Sequence, residues 1–459
     1  MKKIILSLSI LVGFTASEMK AQTNPAITSW LINTTGITGR HYVNGNSTPI
    51  SDTAHANVQR VRYSNNYAYI NCSGVPSYIV GPYNDGNPSL ATNNNLLIKL
   101  PLNPVQNSGA QTETSLGSIG VFINGVQMYD YKDGQSYKLS SQQDSYMGDG
   151  TWNRNAILAE NAGFDCSKGH PSPIFSGGPG QGTLIGGTYH HHQNPTAYNM
   201  ATVELSDICD LYLADGLFTL DASVHSPLIG FAFDGFPVYG AYGYANADGT
   251  GGLKLIMSSY QKRNITTRTT HSNGSTVTAG PAVSSAYPLG WYREDYEYIA
   301  NSGELDEHNG RFCVTPEYPN GTYAYFATVD EDFNSAYPYM VGPTYYGITT
   351  NGGTVTNVTE ATTDYVAPNG ISENTESPMS ISIFPNPASD LVAVQVTGLL
   401  RSNMTVKMYD LKGSLVAETS LNQGSTIWHL DTRTIYNGEY LVVATDGKNT
   451  YTQKLMIQH

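Results

Sequence analysis

Charge is scarce in this 459-residue chain, and positive charge is scarcer still. Asp, Glu, Lys and Arg make up 13% of it, with 23 basic side chains against 37 acidic ones and a formal net charge of −14. So acidic a balance is poorly suited to a phosphate backbone, which argues against nucleic acid as a partner. Long apolar runs are also lacking. The stretch Ile4–Phe14 is too short to span a bilayer, where about 20 residues are needed, and no other run qualifies, so no transmembrane segment is expected in the mature chain. Cysteine is limited to Cys72, Cys166, Cys209 and Cys313, with no CxxC spacing. A thiolate metal site is therefore disfavoured. The familiar catalytic signatures are missing as well. There is no GxSxG elbow, no HExxH and no Walker loop, and "GGPGQG" at 177–182 is followed by no Lys-Ser/Thr pair. Common serine and zinc peptidases are excluded on that ground.

What is abundant points one way. The 33 tyrosines and 46 glycines, together with many Asn, Ser and Thr, mark a turn-rich, mainly β, extracytoplasmic protein. Residues 1–21 read as a signal peptide: Lys2 and Lys3 precede the apolar stretch, and Ala21 is the expected cleavage residue. Four cysteines exported to an oxidising compartment allow up to two disulfides, whose pairing the sequence leaves open.

Three blocks follow. Residues 22–346 alternate short apolar stretches with turn residues. Val58–Tyr63 and Tyr67–Cys72 read as paired strands, and Ile119–Ile123 and Val126–Tyr131 flank Asn124-Gly125, a hairpin signal that predicts a type I′ turn. Helical patterns are few, at Asn153–Ala162 and Ser206–Ala214. Residues 347–378 are rich in Thr, Asn and Gly and read as a linker. Residues 379–459 contain seven short strands of period two, which predicts a small immunoglobulin-like β-sandwich.

Chemistry concentrates in the central block. In "GTYHHHQNP" (187–195) an extended backbone sends alternate side chains to opposite faces. His190 and His192 then share one face, with Tyr189 and His191 on the other. Two imidazoles at i and i+2 can reach one ion, and further ligands are sought at His170 and His225, with His308 a weaker choice. Imidazole donors suit copper or zinc. Tyr189, Asp306 and Glu307 are candidates to orient the ligands through hydrogen bonds. Asp234, between Phe233 and Gly235, is either a desolvated acid or an ordinary Asp-Gly turn.

The segments "SIGVFINGV" (118–126), "GTYHHHQNP", "SPLIGFAFDGFPVYGAYG" (226–243) and "DYEYIANSGELDEHNGRFCVTPEYPNGTYAYFAT" (295–328) resemble the YHYH protein family. The resemblance implies no particular reaction. His191 stands where the family motif has its second tyrosine, while His190 and His192 keep the two motif histidines. "FPNPASD" (384–390), "VKMYDLKGSLV" (406–416) and "YNGEYLVVATDGKNTYTQKLMI" (436–457) resemble the C-terminal sorting domain of the type IX secretion system (type A). That resemblance implies the secretion machinery as partner, and passage across both membranes to the cell surface or beyond. Three functional expectations result: a histidine-rich copper or zinc site, a surface module binding glycan or protein through its tyrosines, and a metal-free hydrolase using Asp234 with histidine acid–base groups.

Overall fold

The computed structural model describes residues 23–83, 85, 89–178, 181–197, 216–349, 352–366, 380–397, 403–421, 427–445 and 450–459. The signal segment, the helix expected at Ser206–Ala214 and Cys209 lie outside these residues.

The protein is mainly β. An eight-stranded mixed sheet forms the centre, running in spatial order His170–Phe175, Leu184–His191, Gln127–Tyr129, Ser118–Phe122, Leu228–Ala232, Pro237–Tyr239, Thr322–Phe326 and Gly310–Cys313. A five-stranded sheet, in the order Gly353–Thr354, Leu96–Pro101, Tyr67–Cys72, Val58–Tyr63 and Thr363–Asp364, shares its core. Val61, Ile70 and Leu100 from the smaller sheet join Val121, Phe231, Val238 and Tyr325 from the larger one in a single apolar cluster. Burial on both faces explains why Leu228–Ala232 is a continuous apolar run in which every residue is buried. Phe231 is fully buried, and its truncation to alanine is expected to cost about 3–5 kcal/mol.

Several local expectations are met and some are modified. The strands Val58–Tyr63 and Tyr67–Cys72 form with the expected bounds and pair antiparallel. The Asn124-Gly125 hairpin forms, but with a three-residue connection. Gly125 alone takes positive φ (80°), and the Phe122 N–H donates to Val126 O across the loop. This is a turn closed by a left-handed glycine, not type I′. A Cβ at Gly125 would also meet the Cys72 Cβ at 2.4 Å, so glycine is required there twice over. The expected helix Asn153–Ala162 shrinks to one turn, Ala156–Ala159, because Asn153–Asn155 is drawn into a strand and a 3-10 turn follows at Asn161–Gly163. The segment read as a linker from 347 supplies two short strands, Gly353–Thr354 and Thr363–Asp364, to the five-stranded sheet. Cys166 is disulfide-bonded, whereas Cys72 and Cys313 are buried free thiols, so two disulfides do not form.

The C-terminal block places all seven expected strands in two sheets. Ser380–Phe384, Leu391–Thr397 and Ile427–Asp431 form one; Leu415–Leu421, Met404–Asp410, Gly438–Thr445 and Thr450–Ile457 form the other. Alternating burial along Met404–Asp410 matches one wet and one packed face, and Val392, Val406, Val442 and Leu455 fill a core of their own.

Candidate metal centre

The strand Leu184–His191 lies between His170–Phe175, antiparallel, and Gln127–Tyr129, parallel. In this register His170 is directly opposite His190, a pairing that brings Cβ atoms within about 5 Å. Sequence separation had suggested His170 as a partner; the hairpin supplies the contact. His190 and His192 emerge on one face, as alternation predicts. Nitrogen atoms of His170, His190 and His192 all lie within 4.8 Å of one another, and all three residues are buried.

Hydrogen bonding fixes the tautomers of two of these rings. His190 Nδ1 lies 2.9 Å from Thr188 O, and His192 Nδ1 lies 2.5 Å from Asp130 O. A carbonyl only accepts, so each Nδ1 carries a hydrogen and each neutral ring presents a bare Nε2 lone pair. The two Nε2 atoms face each other at 3.1 Å. Two lone pairs at that separation repel unless a proton or a cation sits between them. Backbone carbonyls that hold the far side of liganding imidazoles are a recurrent arrangement in metal sites. Tyr129 stacks on His190 with ring centroids 3.8 Å apart, and Phe164 packs edge-on against His170 at 4.7 Å.

One neighbour had no signal in the sequence. The short helix starts at Asn155, whose side chain accepts from the Ile157 N–H at 3.1 Å, and ends where the Glu160 N–H returns to Ala156 O at 2.8 Å. That early stop delivers the Glu160 carboxylate to the histidines. Its Oε2 is 3.0 Å from His170 Nε2 and 3.3 Å from His192 Nε2. The first contact is close but lacks hydrogen-bond geometry, leaving His170 Nε2 without a partner of that kind.

The electrostatics follow from burial. Desolvation, then the neighbouring His170 and His192, hold the His190 pKa well below its ordinary value. Burial lowers that of His192 too, but the hydrogen bond and charge of Glu160 more than offset it, giving a net rise. Burial pushes the Glu160 carboxyl up, yet the facing His170 and His192 rings bring it far below the usual carboxylate range. Both shifts favour a proton on His192 over one on Glu160, and a cation bound there displaces that proton.

The opposite face of the strand is closed. The Tyr189 hydroxyl donates to Asp165 Oδ2 at 2.8 Å, and Tyr78 OH lies 2.6 Å from His191 Nε2. Asp165 Oδ2 also accepts from the Gly81 N–H, and Asp165 Oδ1 accepts from Ser167 and Gly169 N–H groups. A Cβ at Gly169 would strike the Tyr189 hydroxyl at 2.4 Å. Burial lowers the His191 pKa to about 3 and raises that of Asp165 to about 6. Tyr189 therefore supports the strand from behind and makes no hydrogen bond to the three-histidine group.

The remaining expected residues are elsewhere. His225 is not part of the group: its Nδ1 donates to Ser226 O at 2.8 Å, and its ring packs against Tyr239 and Tyr244. Asp306 Oδ1 accepts from the His308 N–H and the Tyr323 hydroxyl, in the manner of a turn residue. Glu307 is largely exposed, and its carboxylate lies 3.9 Å from His308 Nε2, away from the three-histidine group. Asp234 has its pKa raised to about 6 by burial, but its oxygens accept from Phe236 N–H, Gly347 N–H and Tyr325 OH. No histidine is among those partners, and the Asp-Gly turn accounts for the residue.

The family model described as "YHYH protein" matches residues 97–340, more than half of the chain, and the model described as "Secretion system C-terminal sorting domain" matches residues 382–458. No curated protein matches the chain. Among solved structures, dimeric latent PorU from Porphyromonas gingivalis aligns at 19% identity with a TM-score of 0.16, over 24% of this chain and 11% of that one.

Proposed function

The chain belongs to the YHYH protein family, and we propose that its central domain is a transition-metal site of copper or zinc, held by His170, His190 and His192. The sorting domain directs export across both membranes to the cell surface or the extracellular space, and implies interaction with the secretion machinery. The observation that carries the metal reading is the pair of Nε2 atoms 3.1 Å apart, each ring backed by a carbonyl on its Nδ1. No thiolate takes part, which favours a divalent ion. When bound, the ion supplies Lewis acidity; the residues themselves supply buried donors and fixed ring orientations. Metal analysis of the purified full chain after reconstitution tests this. One equivalent of zinc or copper is expected, and less than about a tenth of an equivalent of either contradicts it.

A second reading, a surface module for glycans, is favoured by a separate cavity of about 400 Å³. Phe236, Phe312, Tyr318, Tyr323 and Tyr346 line it, with Asn103 and Gln106, and no charged residue among the described residues does so. Tyr323 and Tyr346 stack at 3.5 Å, and Phe312 is 63% exposed. Aromatic faces with carboxamides and no charge suit a neutral sugar ring. Saturable binding on an array of neutral glycans, lost in Phe312→Ala, is the expected result; the absence of any such binding removes this reading.

A further inference from the structure

We infer that Glu160 is the fourth ligand of this centre and the corner through which the ion enters and leaves. The inference rests on the three-histidine reading and adds to it a donor from a different part of the fold. Three contacts link the four side chains: 3.1 Å between His190 Nε2 and His192 Nε2, 3.0 Å between Glu160 Oε2 and His170 Nε2, and 3.3 Å between Glu160 Oε2 and His192 Nε2. Ligands bound tetrahedrally at about 2.0–2.1 Å stand about 3.3 Å apart along each edge. The carboxylate oxygen therefore already stands from His170 and His192 at the separation a shared ion imposes, while Glu160 lies outside the group whose donor atoms are all within 4.8 Å of one another and would close on His190 when the ion binds. The poor hydrogen-bond angle at His170 Nε2 means that the ring nitrogen's axis is not aimed along the line to the carboxylate oxygen, as is the case for two ligands aimed at a shared ion.

Position and exposure distinguish Glu160 from the others. The histidines come from one hairpin, whereas Glu160 ends the single helical turn Ala156–Ala159. Its side chain keeps 24% of its exposure, against 11% for His170 and 4% for His192. Solvent thus reaches the group at the carboxylate. Chemically, one carboxylate with three imidazoles is a hard-to-borderline donor set. It favours Zn²⁺, Co²⁺ or Cu²⁺ and disfavours Cu⁺, which prefers thiolate and thioether ligands. The carboxylate also offsets one of the two positive charges brought into a buried site. Binding of the ion would tie the end of the helical turn to the hairpin.

The experiment is a Co²⁺ titration of the full chain, read by visible absorption, with Zn²⁺ competition giving the affinity. Wild type is expected to take one equivalent with the intense band of a four-coordinate ion. Glu160→Ala is expected to lower affinity at least tenfold and to weaken the band, and Glu160→Gln, which keeps the shape, to fall between. Circular dichroism of each variant shows that the fold is retained. Wild-type affinity and spectrum in both variants, with binding still lost in His190→Ala, would overturn the role of Glu160 and leave the histidine site standing. Failure of wild type to bind Co²⁺ or Zn²⁺ would instead overturn the histidine site itself.

Discussion

On one face of the strand around His190, two imidazoles turn their Nε2 atoms toward each other beside a carboxylate; on the opposite face, Tyr189 and His191 contact Asp165 and Tyr78. Both faces carry histidine, all four side chains are buried to similar depth and they sit in adjacent positions, so neither the presence of histidine nor burial tells the two faces apart. What differs is where the second ring nitrogen points. His191 meets a hydroxyl inside the core, next to Phe122 at 5.5 Å, and is a packing residue. His190 and His192 spend their Nδ1 hydrogens on the backbone and aim Nε2 into a shared space beside Glu160. A buried histidine becomes a ligand candidate when its outer nitrogen is anchored to the backbone and its inner one converges with other donor atoms.

This contrast can be broken by substitution. The largest effect on stability is expected on the core face: His191→Ala removes a buried ring and strands the Tyr78 hydroxyl, at a cost of about 3–5 kcal/mol in denaturant unfolding, while the folded fraction keeps its metal. On the other face His190→Ala should do the reverse, lowering zinc affinity at least 100-fold while apo stability changes by no more than about 1–2 kcal/mol. Equal loss of metal and stability in both variants would erase the distinction between the faces.

Acid sharpens the same comparison. The His191 pKa is depressed from 6.5 to about 3 in the folded protein, so the unfolded chain binds the extra proton first. Its contribution to stability is complete above pH 6.5 and is lost as pH falls toward 3, by at most about 4–5 kcal/mol. Apo wild type should therefore lose stability between pH 6.5 and 4 more steeply than apo His191→Asn; parallel curves would contradict this. A smaller effect is expected farther away. Asp234→Asn places an amide where Gly347 N–H and Tyr325 OH donate, costing about 1–3 kcal/mol in thermal or denaturant unfolding. Zinc affinity should be unchanged, because Asp234 touches no ligand.

The sequence was most legible where burial is one-sided. The C-terminal strands alternate cleanly because one face is wet, and all seven strands expected from that alternation form, Ser380–Phe384, Leu415–Leu421 and Thr450–Ile457 among them. Alternation also assigned His190 and His192 to one face; His170 was offered by residue type and nearness in sequence, without the hairpin that brings position 170 opposite 190. Glu160 was not legible, since its place depends on a helix that stops after one turn when Asn153–Asn155 joins a strand. His225 was a plausible fourth imidazole by residue type alone; its ring is turned into Tyr239 and Tyr244 by the adjacent Ser226 carbonyl. The strands at Gly353–Thr354 and Thr363–Asp364 were hidden in a Thr- and Gly-rich segment whose pairing comes from the sheet edges it meets.

Anomalous diffraction from crystals of the zinc-reconstituted full chain, collected on both sides of the zinc edge, tests the central claim most directly. A single strong peak is predicted at about 2.0–2.2 Å from the Nε2 atoms of His170, His190 and His192. A fully occupied peak at His225 or at surface histidines, with none between these three rings, would contradict the account.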